Sequence, residues 1–396
     1  MINKTSKYKE LGIDPGKSSV REIFSKIIDN DFPNAFVNIK RDPEFPGMVF
    51  TKHPDGDGSK FVQRALHYFE TGDESIFQGA VDDALSMNTG DIAASGFVFG
   101  QWVITQVINI NGINLPKDII MKQIALRVAW LLQLYRDYGF NATFFMGGET
   151  ADLPDQTNSM VYDMDIYARA KETDLIVGNV RPGDKIYGFA SNGQAVWEEE
   201  SNSGLMSNGL TLARTDLMDV SYGKLYPFLI RGKGAYRGGF KVNDKPDILG
   251  GMTVSEAILS PTRQWAIVIR MIIEKLKEKG IFHMLHGISM NTGGGATKIS
   301  HVGQGILYEK SMPVPPLIFQ LIQSESGESW QNMFEDFNCG IGIDVVGEDS
   351  EEFTLALKEV EAETGIKLFE LGKCEKYKGK GNNIVLDTPY GCFGNY

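Results

Sequence analysis

The sequence predicts an α+β protein in two domains, and three observations carry that expectation. Its 396 residues exceed what one hydrophobic core ordinarily organises. Strand-like and helix-like segments mix without a strict strand-helix-strand rhythm, which disfavours a doubly wound parallel sheet. Residues 171–184, KETDLIVGNVRPGD, are polar and rich in turn formers, and they divide a first domain at 1–175 from a second at 176–396.

In the first domain, Val20, Ile23, Phe24 and Ile27 stand at helical spacing behind Ser18 and Ser19, predicting a helix over 18–28. Residues 36–53 read as extended, with GMVFTKH a strand that runs into the glycine-rich PDGDGSK. The acidic segment VDDALSMNTGDIAASG follows, then the strand-like FVFGQWVITQVINING. Residues 117–138 carry a helical apolar stripe that Gly139 ends. FFMGGETADLPD reads as an apolar run breaking into an acidic turn, and SMVYDMDIYARA as a strand. In the second domain KIYGFAS and CGIGIDVVG read as strands, and SEEFTLALKEVEAETG as a helix. Another helix is expected to be capped by Ser260, to take Pro261 in its first turn, and to bury Trp265, Val268, Ile269, Ile272, Ile273 and Leu276 before Gly280. Residues 192–204 and 231–251 read as surface loops.

Composition narrows the function classes. The chain is 42% hydrophobic and 23% charged, ordinary for a globular protein. A net charge of -12 argues against a nucleic-acid or anionic-membrane surface, because phosphate backbones are bound through clustered Lys and Arg. The most apolar run, GFVFGQWVITQVINI, is interrupted by Gln101, Gln106 and Asn109, so no membrane span is expected. The N-terminus lacks an apolar signal core, and the widely spaced Cys339, Cys374 and Cys392 fit a reducing compartment. These features predict a cytoplasmic protein.

Chemistry-bearing residues concentrate in a few short motifs. GIDPGKSS is not a phosphate loop: its glycines enclose too few residues and no apolar strand precedes it. In DGDGSK, Gly56 and Gly58 would let backbone N–H groups converge on phosphate oxygens, with Ser59 adding a hydroxyl and Lys60 a charge; a hairpin turn accounts for the same residues. Asp55, the Asp82–Asp83 pair, Asp91 and Glu149 each follow or flank an expected strand, as metal ligands from separated segments would; taken singly, each reads as a solvated charge. His283 and His286 in HMLHG stand at i, i+3, but with no third ligand nearby a hydrogen-bonding role is favoured. NTGGGATK offers an anion seat at a helix start or a flexible turn, and Asn208–Gly209 in SNGLTLAR a ligand contact or a turn.

YKELGID, DGDGSK, SMNTGD, GGETAD, SNGLTLAR, SPTR, TGGG and FNCGIGI occur in one order along nearly the whole chain. Together they resemble the phosphoribosylformylglycinamidine cyclo-ligase, or aminoimidazole ribonucleotide synthetase, family. The resemblance implies an N-terminal α/β domain whose strands form a β-barrel across a homodimer, followed by a C-terminal α/β domain that completes the substrate site. It implies ATP-dependent closure of formylglycinamidine ribonucleotide to aminoimidazole ribonucleotide in purine biosynthesis, with ATP and Mg2+ in a cleft of the first domain. By position it assigns Mg2+ to Asp55, Asp91 and Glu149, with Asp83 as a fourth ligand. The nucleotide phosphates fall to Gly56, Gly58, Ser59, Lys60 and Gly148. Asn208, His286, Gly293, Gly294 and Gly295 fall on substrate-facing positions, with Lys60, His286 and Asn208 in catalytic roles. The chain departs from the family at Met206, where a histidine is expected, at Asp57, where a valine is expected, and in lacking a glycine-rich flap between the first helix and DGDGSK. A superfamily enzyme with another substrate and a non-catalytic ligand-binding homologue are the alternative expectations.

Overall fold

Alternating apolar positions build the first sheet of the computed structural model, which describes residues 6–13, 23–24, 26–230 and 235–394. The helix expected at 18–28 and the turn at 12–19 lie largely outside the described residues. The sheet comprises β1 (Lys40–Arg41), β2 (Met48–Gly56), β3 (Gln101–Ile110), β4 (Thr143–Asp152) and β5 (Met160–Lys171), in the order β1-β2-β5-β3-β4. β3 and β4 run parallel and the other neighbours antiparallel. On β5, Tyr162, Met164, Ile166, Ala168 and Ala170 are buried while the residues between them are not, so one face of the sheet meets the core.

That face is covered by helix. α1 (Lys60–Thr71) follows β2, α2 (Gly79–Ala93) lies across β2 and β5, and α3 (Lys117–Asp137) joins β3 to β4. The second sheet holds β6 (Lys185–Ala190), β7 (Leu285–Met290), β8 (Ile306–Ser311), β9 (Ile341–Gly347), β10 (Leu368–Lys376), β11 (Asn383–Thr388) and β12 (Gly391–Gly394), in the order β12-β11-β8-β10-β6-β9-β7. Its helices are α4 (Leu210–Leu217), α5 (Val254–Leu259), α6 (Trp265–Glu278), α7 (Leu317–Ser326), α8 (Trp330–Asp336) and α9 (Glu351–Thr364). The architecture is a mixed α/β one with two open sheets.

α2 packs on the first sheet with one side and on α6 with the other, so every residue from Ala80 to Ala93 is buried. A helix enclosed on all sides has no polar stripe and therefore no 3.6-residue signature. This corrects the expectation that Asp82, Asp83 and Asp91 flank strands: all three project from one interior helix. α6 begins at Trp265 rather than beside Ser260, which instead closes α5. Residues 261–264 stay extended because tertiary bonds claim them: the Arg263 guanidinium donates to the carbonyls of Ala190 and Gly193 and to Glu198. The Trp265 indole packs against Gly342 of β9, where a Cβ would fall 1.8 Å from the ring. α9 follows the sequence reading closely, with Ser350 accepting from the Phe353 N–H and Gly365 closing the helix at φ 73°. FFMGGETAD is a strand, not a turn; Gly147, at φ 81°, sits where the β3–β4 register slips.

A single helical turn at Lys7–Glu10 docks beside α8, where Ser6 Oγ donates to Asp336 Oδ2 at 3.1 Å and the Lys7 N–H to Glu328 Oε2 at 2.6 Å. Burial pushes the Asp336 carboxyl from its ordinary 3.8 up to about 7, against the Ser6 hydrogen bond. The folded chain then binds a proton that the unfolded chain releases, so stability falls as pH rises from 4 through 7, and the cost is complete above that. Asp336→Asn is expected to be more resistant to urea than wild type at pH 8, by about 2–4 kcal/mol, with the difference gone at pH 4. Among the described residues no helix is long and apolar enough to cross a membrane.

Candidate functional site

Strand periodicity starts the site. His53 and Asp55 are two apart on β2, so their side chains share a face. Their β5 partners are Ile166 and Met164, which belong to the buried face, and α2 passes over that face to bring Asp91 against them. One donor atom from each of His53, Asp55 and Asp91 lies within 4.8 Å of the others. His53 Nε2 is 3.3 Å from Asp91 Oδ2, and Asp91 Oδ1 is buried with no hydrogen-bond partner. Burial lowers the His53 pKa, but the Asp91 and Asp55 carboxylates outweigh it and the net direction is upward. One turn earlier on α2, Asn88 donates to the carbonyls of Asp55 at 2.9 Å and Met164 at 3.1 Å, which locks the helix against the end of β2. Two carboxylates with a buried, unsatisfied oxygen fit a divalent cation, which takes hard oxygen donors.

Two glycine-rich loops from the later part of the chain are linked to this cluster through neighbouring residues. Gly90, beside Asp91, lies so near the end of β7 that a Cβ there would fall 2.2 Å from Met290 Sδ, so the loop after β7 begins next to the acids. Lys298, four residues beyond Gly294, is near enough to His53 to oppose its protonation. A Cβ on Gly209 would strike the Phe337 ring at 2.0 Å and one on Gly295 the Phe337 carbonyl at 2.3 Å, so Phe337 pins the Asn208 loop and the Gly293–Gly295 loop together. The DGDGSK loop joins them: Ser59 Oγ is 2.9 Å from Thr211 Oγ1, and Arg214 donates to the Ser59 carbonyl at 3.1 Å. Asn208 Nδ2 is buried without a partner.

Other residues expected here lie elsewhere. Asp83 is fully buried beneath the loop, where Lys60 donates at 3.0 Å, Thr262 donates through its N–H at 2.8 Å and its hydroxyl at 2.6 Å, and Arg64 forms a further ion pair. Burial pushes the Asp83 carboxyl up, but Lys60, Arg64 and Thr262 more than offset it, so it stays ionised. Lys60 spends its ammonium on Asp83 and on the Ser260 carbonyl at 2.6 Å, so it anchors the loop from below instead of facing open space. Glu149 is exposed and in register with Val107, on the sheet face opposite Asp55 and Asp91. Gly148 is on β4 against the Gln106 carbonyl, 1.9 Å from where a Cβ would stand, so its place is explained by strand pairing. His286 is at the far end of β7 from Met290, bonded through Nδ1 to Asp184 Oδ2 at 2.8 Å. Asp57, the departure from valine, is fully buried with both oxygens unpartnered, and burial pushes its carboxyl well up, toward the neutral acid. A cavity of about 880 Å³ opens beside Asp82, Arg127, Trp130, Trp197 and Arg263, and His53, Asp55 and Asp91 do not line it.

His53, Asn88, Lys298 and Phe337 were absent from the expected site. The His53-x-Asp55 alternation on a strand was a legible signal for the first, and the i, i+3 spacing of Asn88 and Asp91 for the second. Nothing local marks Phe337, whose role depends on two distant loops.

No family profile matches the chain. A phosphoribosylformylglycinamidine cyclo-ligase of Methanococcus vannielii is 27% identical over 350 residues, covering 88% of this chain and 82% of that protein. The protein of the same name from Methanocaldococcus jannaschii is 26% identical over 353 residues, covering 87% and 85%. Among solved structures, AaThiL complexed with AMPPCP and TMP superposes over 100% of both chains with a TM-score of 0.52 at 12% identity, a likeness of fold alone. Through the ordered motifs and these alignments, the chain is a relative of the phosphoribosylformylglycinamidine cyclo-ligases over most of its length.

Proposed function

We propose that the chain is an ATP-dependent cyclo-ligase that converts formylglycinamidine ribonucleotide to aminoimidazole ribonucleotide, with release of ADP and phosphate. The observation that carries this reading is the convergence of Asp55 and Asp91 beside the DGDGSK loop, to which the Asn208 loop is tied through Ser59 and Thr211 and the Gly293–Gly295 loop through Phe337. The names of the archaeal relatives support the ligase activity, and the nucleotide analogue in AaThiL supports ATP as the phosphoryl donor.

A formamide oxygen leaves poorly until it is phosphorylated, so the protein's share of the work is positioning and charge neutralisation. Asp55 and Asp91 would hold the divalent cation that accompanies ATP, which would screen the charge of the nucleotide phosphates. The backbone N–H groups of Gly293 and Gly294 precede a short helix and face the anionic end of a ligand, while the Gly295 N–H closes the turn onto the Thr292 carbonyl at 2.8 Å. Asn208 Nδ2 donates to a substrate oxygen, and Gly58, at φ 62°, lets the loop between β2 and α1 approach the phosphates, whereas Gly56 donates its N–H to Asp55 Oδ1 and is a glycine because a Cβ would fall 2.0 Å from Asp163 on β5. Lys60 keeps that loop in place through Asp83. The reading includes a cytoplasmic homodimer with a subunit-spanning barrel, supported by the apolar side chains of Val107, Phe144, Met146 and Val161 exposed on the outer face of the first sheet. Glu149, on that face, then lies at the subunit boundary.

A changed substrate is the second reading, favoured by Met206, a buried side chain with no proton to exchange. Incubation of the purified chain with ATP, a divalent cation and formylglycinamidine ribonucleotide separates the two. Equal yields of ADP and ring product are expected. ADP without ring product transfers support to the changed substrate, and neither product supports a non-catalytic homologue.

A further inference from the structure

We propose that His53 is a direct ligand of the cation at this site, which makes it a mixed nitrogen–oxygen centre that takes a first-row transition dication such as Mn2+ in preference to Mg2+. The inference rests on the reading of Asp55 and Asp91 as cation ligands and adds the residue that decides which cation. His53 Nε2 is buried and lies 3.3 Å from Asp91 Oδ2 without the alignment of a hydrogen bond. The three donors lie within 4.8 Å of one another, whereas ligands at about 2.1 Å on opposite sides of one ion stand about 4.2 Å apart. Adjacent ligands of an octahedral ion stand about 3 Å apart, so the side chains draw closer together around a bound ion. The backbone is prepared for it: Pro54 fixes the chain between His53 and Asp55, at a point where β2 has only β5 as a neighbour, and holds both side chains toward α2. On the other side, Asn88 ties α2 to the Asp55 carbonyl, so the Asp91 carboxylate is presented from a fixed height.

The chemistry follows from donor type. Mg2+ demands oxygen ligands and gives up water reluctantly, while an imidazole nitrogen is accepted by the first-row transition dications, least strongly by Mn2+ and increasingly toward Cu2+. A histidine serving only to orient Asp91 would leave the centre all-oxygen and its preference unaltered. The two cases differ in whether nitrogen is bonded to the metal.

The test uses the full chain with Mn2+ alone, Mg2+ as competitor and no nucleotide, so it does not depend on turnover. Pulsed EPR of bound Mn2+ is expected to show modulation from a directly bonded ¹⁴N, absent in His53→Gln. That variant is expected to bind Mn2+ about 10–100-fold more weakly, while its Mg2+ affinity changes by less than about threefold. Binding that is lost in Asp91→Asn but shows no ¹⁴N modulation, with His53→Gln altering both metals alike, overturns the role of His53 and leaves the carboxylate reading standing. Mn2+ binding that Asp91→Asn leaves intact, or no saturable binding at millimolar metal, overturns both. The wild-type spectrum decides the ligand question even if His53→Gln folds poorly.

Discussion

Asp91→Asn is expected to reduce ATP-dependent turnover by about 10³-fold or more while the protein remains folded. The loss has a physical source: Asp91 is one of two carboxylates facing the shared centre, and its Oδ1 has no protein partner, while its Oδ2 meets only His53 in an ion pair at 3.3 Å. A thousandfold loss corresponds to about 4 kcal/mol of transition-state stabilisation, within what a charge-clamping metal ion supplies. Folding should tolerate the change, because removing one of two clustered like charges relieves repulsion. Steady-state ADP release and titration of Mn2+ against the variant check it together. Retained turnover with unchanged metal affinity would remove the site from the reading altogether.

Asp83→Ala is expected to fail in the opposite way, by loss of the fold. The carboxylate is buried between Lys60 and Arg64 and accepts two hydrogen bonds from Thr262. Deleting it leaves two cations buried without a counter-charge, and breaking a buried pair from one side costs about 3–5 kcal/mol. Denaturant titration should show that loss, and Lys60→Met in the same background should recover part of it by removing one orphaned charge. The resemblance to the cyclo-ligases places Asp83 beside the metal. If it were a ligand, removing it from the metal-free protein would leave stability unchanged or improve it, so the sign of the effect separates the two roles.

Those two aspartates show how unevenly the site was legible. Asp55 and Asp91 stand in motifs whose order along the chain already implied a cation site, and the structure brings them together with His53. Asp83 and Lys60 stand in equally suggestive motifs but satisfy each other under the loop. Sequence spacing does not distinguish a carboxylate that faces a ligand from one that faces a lysine. His286 was open to either reading, and Asp184, which arrives from the start of β6, makes it a hydrogen-bonding residue of the second sheet. Glu149 was expected beside the metal from the family resemblance of GGETAD; as part of β4 its direction is set by the pleat, which turns it to the outer face.

The secondary elements divide along the same line. β5 and α9 were readable because each has one wet face, so period 2 or period 3.6 is written into the residues themselves. α2 was not readable, because sheet and helix enclose it and apolar, acidic and amide residues are all interior.

What the sequence determined by itself was the inventory: two α/β portions, an acidic and glycine-rich set of motifs in a family order, and the strands that alternate. What only the tertiary structure decided was assignment, namely which acids face a common centre, which are consumed by buried cations, and that His53 belongs with them. Periodicity and caps are encoded by neighbours in the chain, whereas the surroundings of a charge depend on whatever the fold packs against it from dozens or hundreds of residues away.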